Sequence, residues 1–422
     1  MKRFLFLSVA ASAVCAAFAD PAATVLSVKQ VDARVVKIDY TLSGGPAIVT
    51  ADIQTNGVSI GGAHLQTLSG DVNYSLATTP EGKSYSIYWF PDDDWGVCDF
   101  DIGEMSVRLT AWEPSNPPLY MAVDLRIPNV VWYYPDAESI PGGHTNYQYK
   151  TNLLLFRRIP AKNVTWAMGT PEIDSTRASG AYRDWSKRHL VKLTNDYYIG
   201  VYELTADQKA LINKSRTTTA ASSALPATAV TYNAARGKTN GARFPVFTDG
   251  VFDYEQSHVV DSGSLVYNLR DLTGLAFDLP TEAQWEYACR AGAETPLYKY
   301  TYTQSNMQKI CRCGFNKNTA DCVGKVGLVA TVGTYEANAF GLYDMLGNAM
   351  EWCLDWHEDW GEFDWNTTYV NPIGAATGTL RQERGGYYDN QLGYISCGMR
   401  NYSYVPTTGT NLNGVRFVLD IL

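Results

Sequence analysis

The pattern of hydrophobic residues changes once along the chain, near residue 128, and this change limits the folds that are possible. Up to that point the sequence consists of short runs rich in β-branched and aromatic residues, such as ARVVKIDYTL (33–42) and SYSIYWF (84–90). Several runs alternate apolar and polar residues, as half-buried strands do, and turn residues separate them. We therefore expect residues 20–128 to form an all-β sandwich of the fibronectin or immunoglobulin kind.

The rest of the chain has a different character. Residues 129–150 carry proline and glycine among tyrosines, and we interpret them as a linker. From residue 151 to 422, glycines and loops rich in Trp, Tyr and Asn dominate. The clearest helix lies in LPTEAQWEYACRAG (279–292), which has a threonine N-cap and a capping box, and ELTADQKALI (203–212) predicts another. The expected fold class is α+β, with a second domain of low regular-structure content.

The first nineteen residues are typical of a secretory signal peptide. Lys2 and Arg3 precede an apolar run, and small residues at Ala17 and Ala19 stand where a signal peptidase cleaves. The run is too short for a comfortable membrane span, and no later segment reaches about 18 apolar residues. We expect a secreted, periplasmic or cell-surface protein without a membrane span once residues 1–19 are removed.

Seven cysteines follow the predicted signal peptide, in a compartment where disulfide bonds persist. An odd number means that at least one is free or pairs outside the chain. Cys311 and Cys313, with Cys322 nearby, match no common zinc spacing and have no histidine close by. We expect local disulfide bonds in this segment rather than a metal site.

The charge and the scattered histidines exclude other functions. The net charge is −9, and no basic stripe is available to neutralise phosphates, so a nucleic-acid partner is not expected. The five histidines form no His-x₃-His pair, so a histidine metal site is not expected either. The sequence also contains no Ser-His-Asp elbow and no phosphate-binding loop.

Four motifs in the second half form an ordered set. They are LPTEAQWEYACRAG (279–292), NAFGLYDMLGNAMEW (338–352), RGGYYDN (384–390) and NGVRF (413–417). In order and spacing the set resembles the formylglycine-generating enzyme (sulfatase-modifying factor) family. The resemblance implies a mixed α/β fold of low regular-structure content, related to C-type lectin domains.

The second motif is similar to a calcium-binding loop of that family. Residue by residue, the resemblance implies carboxylate ligands at Asp344 and Glu351 and carbonyl ligands at Gly347 and Ala349. Calcium takes six to eight hard oxygen ligands, which agrees with two acids flanking a glycine-containing turn. Glu203 also matches a calcium-associated acid of the family. The alternative is that Asp344 and Glu351 only cap a turn and a helix start.

The enzymes of the family hold copper(I) with two cysteines after the Gly-Gly turn and oxidise a sulfatase cysteine to formylglycine. Counting forward from that turn places the two positions at Asn390 and Ile395, and counting back from Arg400 places them at Tyr387 and Leu392. Neither alignment has a thiolate pair, and soft thiolates are what select copper(I). We therefore expect calcium as a structural cofactor, no copper, and no catalytic residue.

The segment YYDNQLGYISCGMRNYSYVPTTGTN (387–411) is dominated by Tyr, Asn, Ser, Thr and Gly. Tyrosine supplies contact area at low entropy cost and small polar residues supply adaptable hydrogen bonds, as in antibody paratopes. On scaffolds of this family the same segment varies in ligand-binding proteins of diversity-generating retroelements, and the resemblance here is one of composition. An ordinary loop with turn chemistry is the alternative. The predicted ligand-binding residues are Tyr387, Tyr388, Asn390, Tyr394, Asn401, Tyr402 and Tyr404.

Two functions remain open at this point. One is an exported, calcium-stabilised scaffold that binds a protein or glycan ligand through residues 387–411. The other is the family's oxygen-dependent oxidation of a cysteine in a sulfatase-type peptide. The missing thiolate pair favours the first.

Overall fold

The structure is a computed structural model that describes most of the chain after the predicted signal peptide. It describes residues 20–421 except 33, 63, 96–102, 104, 170–187, 216–222, 238–245, 249–250, 254–259, 317–327, 358–366, 376, 392 and 401. The prediction for residues 1–19 therefore lies outside the described residues. The chain divides into two compact units, Met1–Ile60 with Thr67–Pro117 and Gly61–Gln66 with Pro118–Leu422. The expected α+β class is confirmed, with mixed sheets and few helices.

The first unit is built from antiparallel strands. Its elements are β1 (Ala22–Asp32), β2 (Val35–Ser43), β3 (Ala47–Thr55), β4 (Val58–Ser59), β5 (Ser69–Gly70), β6 (Ser75–Leu76), β7 (Tyr85–Trp89), α1 (Pro91–Trp95) and β8 (Met105–Trp112). They form one sheet in the order β1-β2-β7-β5 and another in the order β4-β3-β6, with β8 paired to β3. Val36, Ile38 and Tyr40 of β2 are buried at every second position, as its alternating sequence predicts.

The second unit contains the remaining elements. Its strands are β9 (Tyr120–Asp124), β10 (Val131–Tyr134), β11 (Leu153–Ile159), β12 (Val164–Met168), β13 (His189–Leu193), β14 (Tyr197–Gly200), β15 (Val246–Thr248), β16 (Val251–Asp253), β17 (Met350–Trp356), β18 (Thr368–Val370), β19 (Arg381–Arg384), β20 (Tyr402–Tyr404), β21 (Asn413–Gly414) and β22 (Val418–Asp420). Its helices are α2 (Ala206–Ile212), α3 (Tyr232–Ala235), α4 (Leu265–Thr273), α5 (Glu282–Arg290) and α6 (Gln304–Ile310). Strands β17, β19, β20 and β21 form a four-stranded sheet in the order β20-β19-β17-β21.

The division between the units lies earlier than the boundary expected at residue 128. Strand β9, a short β-rich run that the sequence assigned to the sandwich, pairs instead with β10 and β11 in the five-stranded sheet β10-β9-β11-β14-β22. The segment 129–150, expected to be a linker, contributes β10 and a 3₁₀ helix at Tyr147–Lys150 to the second unit. A short β-rich run between turn residues identifies a strand but not its partner, which explains the difference.

The predicted helix within 279–292 is present as α5 and begins as expected. Thr281 accepts a hydrogen bond from the Gln284 N–H at 3.1 Å, and Gln284 Oε1 accepts one from the Thr281 N–H at 3.0 Å. Helix α2 begins at Ala206 rather than at Glu203, because Thr205 is its N-cap and forms a second capping box with Gln208.

The N-cap of α5 provides a first testable prediction. Thr281→Ala removes the side-chain acceptor and is expected to lower the free energy of unfolding by about 1 kcal/mol. Thr281→Ser keeps the acceptor and is the matched control, expected to change little. Thermal denaturation of both variants measures the difference, and equal stabilities would show that the box contributes nothing.

The interior of the second unit combines apolar clusters with buried ion pairs. Trp285, Trp352 and Phe156 are among its fully buried side chains, and so are Arg384 and Arg416. Arg384 pairs with Glu286 on α5 and donates to the carbonyl oxygens of residues 397 and 399. Within the described residues, no helix is long and apolar enough to cross a membrane.

Candidate functional site

The predicted calcium loop is a tightly folded turn that leads into β17. Asp344, Gly347 and Asn348 have positive φ angles of 56°, 73° and 57°. Glycine adopts this conformation without cost and asparagine adopts it more readily than most residues. The turn therefore requires these residue types whether or not an ion is bound.

The side chain of Glu203 contacts this turn through both of its carboxylate oxygens. Its Oε1 accepts a hydrogen bond from the Ala349 N–H at 2.9 Å, and its Oε2 accepts one from Asn348 Nδ2 at 2.6 Å. Asn348 also links the turn to Ala330, whose N–H donates to Asn348 Oδ1 at 2.8 Å. Asn348 was not among the predicted site residues. Its position directly after a turn glycine was the available signal.

The two acids of the turn have different surroundings. Asp344 Oδ2 accepts a hydrogen bond from the Gly333 N–H at 2.6 Å, while the buried Oδ1 has no hydrogen-bond partner among the described residues. Both oxygens of Glu351 are occupied, by Arg416 at 2.6 to 2.9 Å and by Trp285 Nε1 at 2.6 Å. Arg416 belongs to the NGVRF motif but was not predicted as a site residue.

The buried carboxylates of Glu203, Asp344 and Glu351 lie close enough together for their negative charges to repel one another. Burial, followed by the charges of Asp344 and Glu351, raises the pKa of Glu203 well above its ordinary value. Burial raises the pKa of Asp344 to about 6, against the Gly333 hydrogen bond and the charge of Arg416. Since Arg416 is bound to Glu351, the excess negative charge is on Asp344 and Glu203. Either protons or a cation would relieve it.

The residues present fit a hard cation in part. Asp344 offers a buried carboxylate oxygen without a partner and Glu203 lies beside the same turn, whereas Glu351 is already neutralised by Arg416. Across the described part of the chain, no group of three or more His, Cys, Asp or Glu side chains is arranged to hold a metal ion. A calcium ion would thus depend on carbonyl oxygens as well, the role that the family resemblance implies for Gly347 and Ala349.

Gly347 supplies a second testable prediction, since it is confined by both conformation and space. A Cβ atom there would overlap the carbonyl oxygen of Arg312, and its φ is positive. Gly347→Ala is therefore expected to destabilise the second unit by roughly 2–4 kcal/mol, the range of steric and backbone strain combined.

Gly263→Ala is the control for this prediction, because Gly263 has a φ of 84° but nothing within 4 Å of the added carbon. It is expected to cost only about 1 kcal/mol, the conformational term alone. Urea denaturation of both variants tests the difference. Equal losses of stability in the two variants would mean that the Arg312 carbonyl moves aside at little energetic cost.

The tyrosine-rich segment is attached to the same turn. The Tyr388 N–H donates to the Asn348 carbonyl at 3.0 Å, and the Gly347 N–H donates to the Gly385 carbonyl at 2.9 Å. Tyr387 and Tyr388 meet edge to face with ring centroids 5.9 Å apart. The loop predicted to bind calcium and the segment predicted to bind a ligand are therefore one hydrogen-bonded assembly.

The predicted ligand-binding residues differ in exposure. Tyr387, Tyr394 and Tyr404 are half-buried, whereas Tyr388 and Asn390 are buried. Asn390 Oδ1 accepts from the Tyr387 N–H at 2.9 Å, so that side chain shapes the turn. Asn401 lies outside the described residues, and Tyr402 is placed on β20 without a description of its side chain.

The positions that match the family's copper cysteines carry no sulfur in this chain. Tyr387 and Asn390 form the turn just described, Ile395 is fully buried, and Leu392 lies outside the described residues. Cys397, close by in sequence, is a free buried thiol beside Cys289.

The local disulfide expected near residue 311 is not formed between its two described cysteines. Cys311 and Cys313 are free and buried. A hydrogen bond between their thiols, followed by burial, raises the pKa of Cys311, while the same hydrogen bond lowers the pKa of Cys313. The third cysteine considered for this segment, Cys322, lies outside the described residues.

Comparisons with known proteins relate the second unit to one family. Residues 129–421 match the model of the sulfatase-modifying factor enzyme 1-like domain. The formylglycine-generating enzyme of Thermomonospora curvata is 35% identical over 115 residues, which is 26% of this chain and 38% of that protein. The Bos taurus enzyme is 31% identical over 150 residues, 34% of this chain and 39% of that protein. The matches thus span less than half the length of these relatives.

Two solved structures show a more distant likeness. Treponema denticola variable protein 1 is 20% identical, with a TM-score of 0.43, and the match covers 63% of this chain and 95% of that one. The structure of PvdO from Pseudomonas aeruginosa is 20% identical, with a TM-score of 0.44 and coverage of 63% and 94%.

Proposed function

The chain belongs to the sulfatase-modifying factor enzyme 1-like domain family, and we propose that its family domain is a calcium-stabilised binding scaffold rather than a copper oxidase. The proposal is carried by the residues that stand where the family's enzymes have their two copper-binding cysteines. Tyr387 and Asn390 fold the turn through an amide hydrogen bond, and Ile395 is core. Linear copper(I) coordination needs two thiolates, which these side chains do not supply.

The proposed binding face consists of the exposed parts of Tyr387, Tyr394 and Tyr404 together with the other solvent-accessible residues of the 387–411 segment. Tyr388 and Asn390 support it from below. The turn at residues 344–351 fixes one end of this segment, since both backbone contacts with residues 385 and 388 come from it. A rigid support beneath the tyrosine side chains reduces the entropy that they lose on binding, and this favours recognition of a ligand.

Calcium is proposed as the structural cofactor of this turn. Asp344 and Glu203 would hold it with the carbonyl oxygens of Gly347 and Ala349, and Glu351 would border the site through its pair with Arg416. The bound ion would supply charge neutralisation and no chemistry.

The proposal extends to the rest of the chain in three respects. The protein would be exported, and the first unit would be a sandwich of the fibronectin or immunoglobulin kind acting as a spacer. A variable binding protein of a diversity-generating retroelement is one form that the scaffold would take. A reverse transcriptase gene nearby, with a template repeat matching codons 387–411, would support that form, and its absence would count against it.

The competing function is the oxidase activity named for the relatives in Thermomonospora curvata and Bos taurus. Purified protein is incubated with copper(I), oxygen and a cysteine peptide of the sulfatase type, and mass spectrometry follows loss of the thiol. A formylglycine-generating enzyme is the positive control. We expect no conversion above the protein-free background, and robust turnover would overturn the scaffold proposal.

A binding screen tests the scaffold directly. Glycan arrays and displayed peptide libraries are screened with the wild type and with the double variant Tyr387→Ala/Tyr404→Ala. Tyr147→Ala, an exposed tyrosine of the same unit outside the segment, is the matched control. Ligands of the proposed face should lose about ten-fold or more in affinity only with the double variant. Ligands that are insensitive to it would place recognition elsewhere.

A further inference from the structure

A pocket opens in the second unit between the N-terminal end of α5, strand β22 and the loops that follow β13 and β18. Its cavity volume is about 50 Å³. A single water molecule needs about 10–15 Å³ on this scale, so the pocket has room for a group of about three to five heavy atoms. Asn371, Ile373 and Asp420 in its wall are half-buried, which means that solvent reaches the pocket. None of the described residues that line it belongs to the 344–351 turn or the 387–411 segment, so the pocket is separate from the proposed binding face.

The floor of the pocket is apolar. Five buried side chains form it, namely Leu193, Tyr197, Leu279, Leu354 and Val418. The Tyr197 hydroxyl, the one polar side-chain group among them, donates to the Gln284 carbonyl at 2.6 Å. Such a floor favours the hydrocarbon part of a ligand, because binding there removes that part from water.

The charged side chains of the pocket wall are both acids, Asp278 and Asp420. Asp278 is neutralised by Arg236 and Arg270, whose nitrogen atoms lie 2.9 to 3.1 Å from its carboxylate oxygens. Asp420 Oδ1 accepts a hydrogen bond from Gln284 Nε2, a neutral amide, at 2.7 Å. The described lining includes no lysine, arginine or histidine. The wall of the pocket therefore presents the Asp420 carboxylate and no positive side chain.

We propose that this pocket is a second ligand site of the family domain and takes a small aliphatic ammonium group. The hydrocarbon part would lie on the apolar floor. The ammonium would donate to the Asp420 carboxylate and to the side-chain oxygen of Asn195, which also lines the pocket. Because the pocket is largely apolar, water screens the attraction to Asp420 less than it would at an open surface. An anionic ligand would be repelled, and a neutral alcohol would gain only an ordinary hydrogen bond.

The test uses n-butylammonium chloride as the probe and 1-butanol, whose hydrocarbon chain has the same length, as its uncharged analogue. Ligand-observed NMR measures the affinity of both for the full-length protein. The wild type should bind the ammonium about ten-fold or more tightly than the alcohol, because hydrogen bonds between charged partners are the stronger ones. Asp420→Asn keeps the shape of the side chain and should abolish this preference.

Three further variants locate the binding. Asp271→Asn makes the same change of charge at an acid that is 59% exposed and does not line the pocket, and it should leave the preference unchanged. Ala276→Phe places a ring at a half-buried position of the pocket wall and should abolish binding of both probes. The double variant Tyr387→Ala/Tyr404→Ala should bind both probes as the wild type does. Circular dichroism and the melting temperature show whether each variant is folded.

Failure of this inference is distinguishable from failure of the scaffold proposal, because the pocket and the binding face share no residue. No ammonium binding by the wild type, equal affinity for the two probes, or an unchanged preference in folded Asp420→Asn would overturn the ammonium site. If Asp420→Asn does not fold, unchanged ammonium binding in Ala276→Phe would overturn it. Loss of ammonium binding in the Tyr387/Tyr404 double variant would also overturn it, by placing the probe on the binding face. The glycan and peptide screen judges the scaffold proposal in every case.

Discussion

Replacing Arg416 with methionine is expected to destabilise the second unit by about 3–5 kcal/mol, the usual cost of breaking a buried ion pair from one side. Arg416 is fully buried and forms three contacts of 2.6 to 2.9 Å with Glu351. It also donates to the carbonyl oxygens of Gly200 at 2.8 Å and Tyr343 at 2.9 Å.

The loss should be larger than the Arg416 contacts alone suggest. Without the guanidinium, Glu351 becomes a third buried acid without an ion-pair partner, beside Asp344 and Glu203. Burial already raises the pKa of both neighbours, and the charge of Asp344 adds to the shift at Glu203. Methionine retains much of the apolar volume of the arginine stem. The measured loss of stability therefore reflects the missing charge and not a new cavity.

Calorimetry of the full-length chain measures this effect, with an expected decrease of roughly 10 °C in the melting temperature of the second unit. Lys299→Met is the matched control, because it breaks an ion pair with Glu336 whose side chains are 46% and 41% exposed. Such surface pairs contribute about 0–1 kcal/mol. Adding Glu351→Gln to Arg416→Met should recover part of the loss, since the amide leaves no buried charge. Equal losses for Arg416→Met and Lys299→Met would refute this account of the site.

Local sequence signals predicted the local features of the fold. The Thr281/Gln284 capping box specified the start of α5 because its partners are three residues apart. The left-handed turn around Gly347 was likewise predictable, from its glycine and the carboxylate and amide residues beside it. In both cases the determining interactions lie within one turn of chain.

Features that depend on distant partners were not predictable in the same way. Strand β9 resembles the short β-rich runs that precede it in the sequence, but its partners β10 and β11 follow it, and all three lie in the second unit. The pairs Arg384–Glu286 and Arg416–Glu351 join residues 98 and 65 positions apart. The sequence does not distinguish a buried arginine from an exposed one. Only the structure therefore identifies the ion pairs that these two arginines form.

Hydrogen bonds link the turn at residues 344–351 to the tyrosine-rich segment 387–411. The carbonyl of Asn348 accepts the Tyr388 N–H, and the side chain of Asn348 donates to Glu203. An ion at the turn would therefore order the ligand-binding segment indirectly, by fixing the position of Asn348. Stability and recognition should respond together when the ion is removed.

Removing calcium is accordingly expected to lower the melting temperature of the second unit. An ion present at about 100 times its dissociation constant stabilises the folded state by about 2.7 kcal/mol, and chelation removes that contribution. Asp344→Asn should abolish the response to chelator, because the amide is a poorer calcium ligand and leaves less negative charge to neutralise. Without calcium, the variant should be at least as stable as the wild type.

Asp196→Asn is the control for this last prediction, since Asp196 pairs with Arg158 at 2.7 Å and is not part of the turn. It makes the same change of charge and should lower the melting temperature by a similar amount with and without calcium. Magnesium should not replace calcium, because its smaller shell demands near-ideal octahedral geometry and retains water. If chelation leaves the melting temperature of the wild type unchanged, Asp344 and Glu203 must instead be neutralised by protons, and the turn is held by its hydrogen bonds alone.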